Sequence, residues 1–211
     1  MSGTLSPTTP PTDPNDWHRL VCRVTERLIL TGDLHADPTL ALAQLEGWVA
    51  DGVTDVIDLR GEHSDEDLVA THAPEIEYVW LGTHDNGGTQ DDTWFYLGIA
   101  AALDALEDPE RTVLVHCHMG INRAPSMVFA ILLALGWDAT DALEAIRSAR
   151  PIANILYADS AISWWLRDQG ASADEVAAGV ATVRQWRADN PIDVFANIAR
   201  IRLGGSTNGG A

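Results

Sequence analysis

The chain has 211 residues, 46% of them hydrophobic and eight of them Trp, with a formal charge of −18. That suits one large domain with a filled core, leaves no apolar run long enough to span a bilayer, and provides only two cysteines, Cys22 and Cys117, too few for a disulfide framework. All 13 basic residues are Arg; the acidic excess lacks the basic stripe that a nucleic-acid binder needs and disfavours docking on anionic membranes. Residues 1–16 are rich in Pro, Ser and Thr and are expected to be a disordered tail. They have neither a basic start nor an apolar stretch, so they do not read as a secretory signal, and a cytoplasmic protein is expected.

From there strands and helices alternate. Leu20 to Val24 and Leu28 to Leu30 read as short strands. Thr39 to Ala50 reads as a helix ended by Asp51-Gly52. Val53 to Leu59, rich in β-branched residues, reads as a buried strand, and Ile76 to Leu81 as another. Asp92 to Leu106 is predicted helical, with Asp108-Pro109 as its stop. Thr112 to Val115 is a short apolar strand that runs straight into His116-Cys117, and helices follow at about 124–136, 138–149 and 157–169. This alternation predicts an α/β fold, a central mostly parallel sheet flanked by helices. Residues 17–170 form the expected domain. Residues 171–203 form a helical extension in which Val176, Val180 and Val183, then Phe195, Ile198 and Ile201, recur at helical spacing and are expected to pack in cis. Residues 204–211 are expected to be a second disordered tail.

The segment 116–126, HCHMGINRAPS, carries the chemistry. Cys117 leaves a strand, Arg123 follows after five residues and opens a helix, and Gly120 lies between them. Such a loop can turn the backbone N–H groups of His118, Met119, Gly120, Ile121 and Asn122 inward around an anion, and the helix adds its positive end. Gly120 permits a turn that a side chain would obstruct, and Pro125 suits a first helical turn. Arg123 offers a planar fork that matches two phosphate oxygens. This positive setting is expected to hold Cys117 as a thiolate able to attack phosphorus, and the scheme needs no metal or cofactor.

At these residues the sequence resembles the protein tyrosine phosphatase superfamily, whose signature is His-Cys, five residues, then Arg. The similarity to its dual-specificity branch extends to RLILTGDLHAD, DGVTDVIDLRGE and RPIANILYADSAISWWL, so it spans roughly 20 to 170. The resemblance implies a catalytic domain that removes phosphate from phosphotyrosine, and also from phosphoserine or phosphothreonine, through a phosphocysteine intermediate. Its substrate partners would be phosphorylated proteins or small phosphomonoesters. It also implies a general acid, an Asp on a mobile loop before the signature. Asp85 follows a strand, lies 32 residues before Cys117 and adjoins Gly87-Gly88, which would let the loop move; Asp91 and Asp92 read as caps of the next helix. His116 is expected to pack under the loop and donate a hydrogen bond to it. Where most members place Ser or Thr after the Arg, this chain has Ala124, as in the phosphatases of regenerating liver.

Plainer readings exist for each residue. A lone Cys is commonly a buried, inert thiol, and Asp-Asn-Gly-Gly is strong turn chemistry. Asn154 either anchors the signature loop or caps the following helix, and Arg150 reads as a solvated surface residue. Consecutive residues on a strand face opposite ways, so His116, Cys117 and His118, with His84, do not converge on zinc. Cys22 reads as core. The alternatives to hydrolysis are a phosphate-binding pseudophosphatase with little turnover and a rhodanese-like sulfurtransferase, whose loop is typically one residue shorter. The sequence leaves the oligomeric state unread.

Overall fold

A computed structural model describes residues 17–207; the expectations for 1–16 and 208–211 lie outside the described residues. The chain runs β1 (Cys22–Arg23), β2 (Leu28–Thr31), α1 (Pro38–Ala50), β3 (Asp55–Arg60), α2 (Glu66–His72), β4 (Glu77–Thr83), α3 (Asp92–Glu107), β5 (Val113–His116), α4 (Arg123–Ala134), α5 (Ala139–Ala149), α6 (Ala158–Asp168), α7 (Ala173–Asp189) and α8 (Val194–Thr207). The strands form one sheet in the order β1-β2-β5-β3-β4. Only β1 is antiparallel; β2 with β5, β5 with β3 and β3 with β4 are parallel.

The strand period of two divides the core. Leu28 and Leu30 of β2, Ile57 and Leu59 of β3, and Val113 and Val115 of β5 face one way, against α3, α4, α5 and α6. Ile29, Val56 and Leu114 face the other way, against Ala41, Leu45 and Trp48 of α1 and Val69 of α2. Helix α4 is the central one, and every residue from Arg123 to Leu133 is buried. Helix α2 has no counterpart in the sequence reading, because its seven residues bury only Val69 and are too short to display a period.

The central strand β5 stops at His116, so the residues after it emerge at the carboxyl end of the sheet, where open parallel sheets place ligands. The ends of β3 and β4 close up beside it. Gly61 is needed there, since a Cβ at this position would lie 2.9 Å from the Thr83 carbonyl oxygen. Below them, buried Arg60 pairs with Asp58 at 2.7 Å and with Asp65 at 2.5 Å, and the Tyr78 hydroxyl donates to Asp58 at 2.5 Å. A buried cation with both carboxylates in place fixes where β3 ends; losing one partner would strand a charge.

The expected helical extension is two helices. Val183 and Trp186 of α7 are buried and Val180 packs beside them. In α8, Ile201 is buried, while Val194 and Ile198 are half-buried against the end of the sheet. Two features differ from expectation. Phe195 is 87% exposed, and α8 continues through Gly204 and Gly205 to Thr207, because adding residues to an existing helix is far easier than nucleating one.

Candidate active site

Residues 117–122 form the loop between β5 and α4. Gly120 has φ +61°, and a Cβ there would meet Arg150 Nη2 and the Thr31 carbonyl oxygen, each at 2.7 Å. Only glycine fits on both counts. The crowding has one source, because Arg150 is buried under the loop rather than solvated as its sequence context suggested. Its Nε donates to the Gly120 carbonyl at 2.8 Å, Nη2 to the carbonyls of Met119 (3.0 Å) and His18 (3.1 Å), and Nη1 to that of Leu20 (3.1 Å). Pulling the carbonyls of the loop down turns its N–H groups the other way, toward the Cys117 sulfur. The backbone N–H groups of Gly120 and Ala124 are near enough to that sulfur to favour its ionised form.

Arg123 is buried beside it. Nη1 and Nη2 hold the two Glu62 carboxylate oxygens at 2.8 and 2.9 Å, and Nη1 also donates to the Thr83 carbonyl at 2.8 Å. Glu62 thus grips one edge of the fork and is itself held below the usual carboxylate range by those hydrogen bonds. On the other edge, Nε is buried with no hydrogen-bond partner among the described residues.

The sequence reading missed Glu62. It lies just past β3, 61 residues from Arg123, and only the three-dimensional closeness of the two strand ends brings the pair together.

Asp85 sits on the loop after β4 and lines the same cavity as Cys117 and Arg123. Its carboxylate accepts from the Tyr157 hydroxyl at 2.6 Å and from Asn122 Nδ2 at 3.0 Å. Asp91 caps α3, accepting from the Thr93 N–H at 2.7 Å, and Asp92 in the first turn pairs with Arg167. Asn154 meets the loop rather than capping α6: its Nδ2 donates to Asn122 Oδ1 at 3.0 Å, and its backbone N–H donates to the Ile121 carbonyl at 2.7 Å. The next residue, Ile155, takes φ +54°, a conformation a β-branched residue adopts only where its surroundings hold it.

His118 Nδ1 lies 2.6 Å from Asp33, and His18 Nε2 lies 3.1 Å from the same carboxylate. Burial alone would raise the Asp33 carboxyl, yet the hydrogen bonds from His118 and His18 outweigh it and hold it below the usual range. Burial pushes His116 down as well, toward the neutral ring. It is fully buried, its ring packs against Trp48 at 5.4 Å, and Nε2 is 3.7 Å from Asp58. Neither ring nitrogen has a hydrogen-bond partner among the described residues, so the expected hydrogen bond to the loop is not formed; the ring packs against Trp48 of α1 instead. Among the described residues two groups have metal-ligand chemistry, His18 with Asp33 and His118, and Asp58 with Asp65 and His116. In each, an arginine already pairs with the carboxylates.

The thiol departs from expectation. Burial pushes Cys117 up from its ordinary value, and although Arg123 and the N–H groups of Ala124 and Gly120 pull it down, the balance is upward. The physical reason is that the sulfur has left water, and the nearby Asp85 carboxylate adds to the upward push.

A family model described as "Dual specificity phosphatase, catalytic domain" matches residues 39–164. Among solved structures, human DUSP28 is similar with a TM-score of 0.58 and 21% identity, covering 78% of this chain and 99% of that one. A mouse putative dual specificity phosphatase complexed with zinc tungstate has a TM-score of 0.59 and 21% identity, covering 80% and 96%. PTPMT1 in complex with PI(5)P has a TM-score of 0.56 and 20% identity, covering 77% and 98%. At these identities the structures share the fold with this chain. No curated protein matches it in sequence.

The charge balance around the sulfur gives a direct test. Removing a cation disfavours a thiolate, and removing its counter-carboxylate favours one. Arg123→Met is expected to move the midpoint of Cys117 alkylation to higher pH, and Glu62→Gln to move it lower. The measurement is the rate of iodoacetamide labelling against pH, with thiolate absorbance in the ultraviolet as a second readout. Identical profiles in all three proteins would mean that neither charge reaches the sulfur.

Proposed function

We propose that this chain, which belongs to the dual specificity phosphatase family, hydrolyses phosphomonoesters, phosphotyrosine foremost, through a phosphocysteine intermediate. The observation that carries the reading is the unpartnered Nε of buried Arg123, whose charge reaches the Cys117 sulfur. A buried donor without an acceptor costs free energy, and an oxyanion would satisfy it. Nε and the second N–H of Nη2 make a two-pronged edge matched to a phosphate, while Glu62 keeps the guanidinium in plane.

In the first step Cys117 attacks phosphorus from its ionised fraction, the form of a thiol that is nucleophilic. The S–P bond forms, the P–O bond to the leaving group breaks, and Asp85 gives its proton to the departing oxygen. In the second step Asp85 takes a proton from water, the water oxygen bonds to phosphorus, and the S–P bond breaks to return the thiolate. His118, Met119, Gly120, Ile121 and Asn122 contribute the backbone of the cradle, and Asn154 positions Asn122. His116 acts through packing beneath the strand end. None of these steps needs a cofactor.

Cys117→Ser is expected to abolish hydrolysis of p-nitrophenyl phosphate measured with a chelator present, while oxyanion binding persists, because a Ser hydroxyl is not ionised near neutral pH and the cradle is mostly backbone. Appreciable turnover by the variant would rule the mechanism out.

Asp85→Asn keeps the shape but lacks the acidic proton. It is expected to slow substrates with poor leaving groups by roughly 10²–10⁴-fold, the range of general acid catalysis, and those with good leaving groups far less. If Asp91→Asn produced that pattern instead, Asp85 would not be the acid.

Ala124 bears on the second step. Position 124 brings its backbone N–H near the sulfur but has no hydroxyl to add, and the Ser126 hydroxyl donates to the Asn122 carbonyl at 2.7 Å, so it is already engaged. A hydrogen bond to a charged group is worth roughly 1.5–3 kcal/mol, so its absence slows departure of the thiolate by about ten- to a hundredfold. Rapid-quench kinetics are expected to show a burst of leaving group followed by slow release. Ala124→Ser should raise the steady rate and leave the burst rate nearly unchanged. Equal steady rates without a burst in either protein would show that another group already serves the sulfur.

A further inference from the structure

The cavity over Cys117 has a volume of about 670 Å³, and one of its walls is α8, through Val194, Phe195, Ile198 and Arg202. This wall is anchored. Ile201, only 4% exposed, packs with Trp17, Ile121 and Ile152, and Val194, Ile198 and Met119 lie against that cluster. The loop that holds Cys117 and the helix that walls the cavity therefore share one apolar cluster.

Against this fixed background Phe195 is 87% exposed, although it lines the cavity. A single exposed aromatic is ordinary, but one that borders a cavity offers apolar area that a ligand seated there would cover. Pockets of roughly 300–1,000 Å³ hold whole ligands rather than single functional groups, with apolar walls around a few convergent polar groups. A phosphoryl group on Arg123 and Cys117 fills only the floor.

We propose that α8 forms an apolar subsite for a side chain flanking the phosphotyrosine of a phosphopeptide, with Phe195 as its contact face. The proposal rests on the phosphatase reading for the position of the phosphate. A peptide fits better than a lipid surface for reasons of charge. The chain as a whole carries −18, so an extended anionic bilayer is repelled, while within the cavity Arg123 and Arg202 stand beside Glu62 and Asp85 and leave room for a single phosphate. A peptide brings one phosphate and an apolar neighbour without a charged surface behind them.

The test uses the full chain as the Cys117→Ser form, so that binding is read without turnover. The probes are a phosphotyrosine peptide with Leu beside the phosphotyrosine, the same peptide with Gly there, inorganic phosphate, and phosphatidylcholine vesicles carrying a phosphatidylinositol phosphate. Phe195→Ala is expected to weaken the Leu peptide about tenfold, as loss of part of an aromatic contact would, and the Gly peptide and inorganic phosphate much less. Phe195→Leu should recover most of the loss. Equal weakening of all probes, or no weakening of the Leu peptide, overturns the proposal. So does a Phe195-dependent preference for the vesicles over the peptide. Failure of the phosphatase reading is seen separately, as absence of Cys117-dependent hydrolysis of p-nitrophenyl phosphate by the otherwise unaltered chain.

Discussion

The site depends on one buried cation. Among the described residues Arg150 has no carboxylate partner; the carbonyls of His18, Leu20, Met119 and Gly120 take its guanidinium N–H groups, and Cys22 Sγ lies 3.4 Å away. Burying a charge is costly unless every donor is satisfied, and here the satisfaction comes from backbone whose orientation is thereby fixed. Two of those carbonyls belong to the loop after Cys117. Their peptide planes cannot face down toward Arg150 and also present carbonyls to an anion above. The same contact explains why position 120 must be Gly, since the atoms nearest an added Cβ are those of Arg150 and Thr31. It also recruits the N-terminal segment, through His18 and Leu20, into the floor of the loop.

Around that floor the parallel sheet distributes roles by strand. β5 delivers Cys117, β3 ends just before Glu62, and β4 ends just before Asp85. Their rigidity differs in a way that suits the proposed chemistry. Cys117 and Arg123 are buried, so the nucleophile and the fork do not wander. Asp85 is exposed, two residues before Gly87 at φ +76°, and among the described residues its side chain is tied by Tyr157 and Asn122. A group that must approach a leaving oxygen and retreat needs a tether of that kind, whereas an electrophilic clamp needs the opposite.

What the sequence disclosed was whatever is encoded locally. Strand β5 is visible as an apolar run, α3 as a period with an Asp cap, and the loop between β5 and α4 as a spacing of Cys, Gly and Arg whose local geometry follows from the residue types. Glu62, Tyr157 and Arg150 were not legible as site residues, because each acts through a contact distant in sequence: 61 residues to Arg123, 72 to Asp85 and 30 to Gly120. Arg150 misled for a second reason. Arginine is nearly always solvated unless paired, and a cage of carbonyls leaves no charged partner in the sequence to announce it. Phe195 failed in the opposite sense: helical spacing placed it with Ile198 and Ile201, but the apolar stripe of α8 is narrower than its hydrophobic residues, and the residue left over faces the cavity.

The electrostatics of the cavity then become coherent. Arg123 is largely neutralised by Glu62, Arg150 sits beneath the loop, and Asp85 stands at the mouth, all in a chain with a large acidic excess. A site of that kind cannot rely on long-range attraction, which a strongly negative protein denies to any anion. Its affinity for a phosphoryl group would have to arise at contact, from aligned N–H groups and one edge of a guanidinium whose hydration has already been given up on folding. Contact forces of this sort reward a ligand with one well-placed phosphate and do little for one with several. The remaining binding free energy would then have to come from the uncharged part of the substrate, and the wall that offers it is α8.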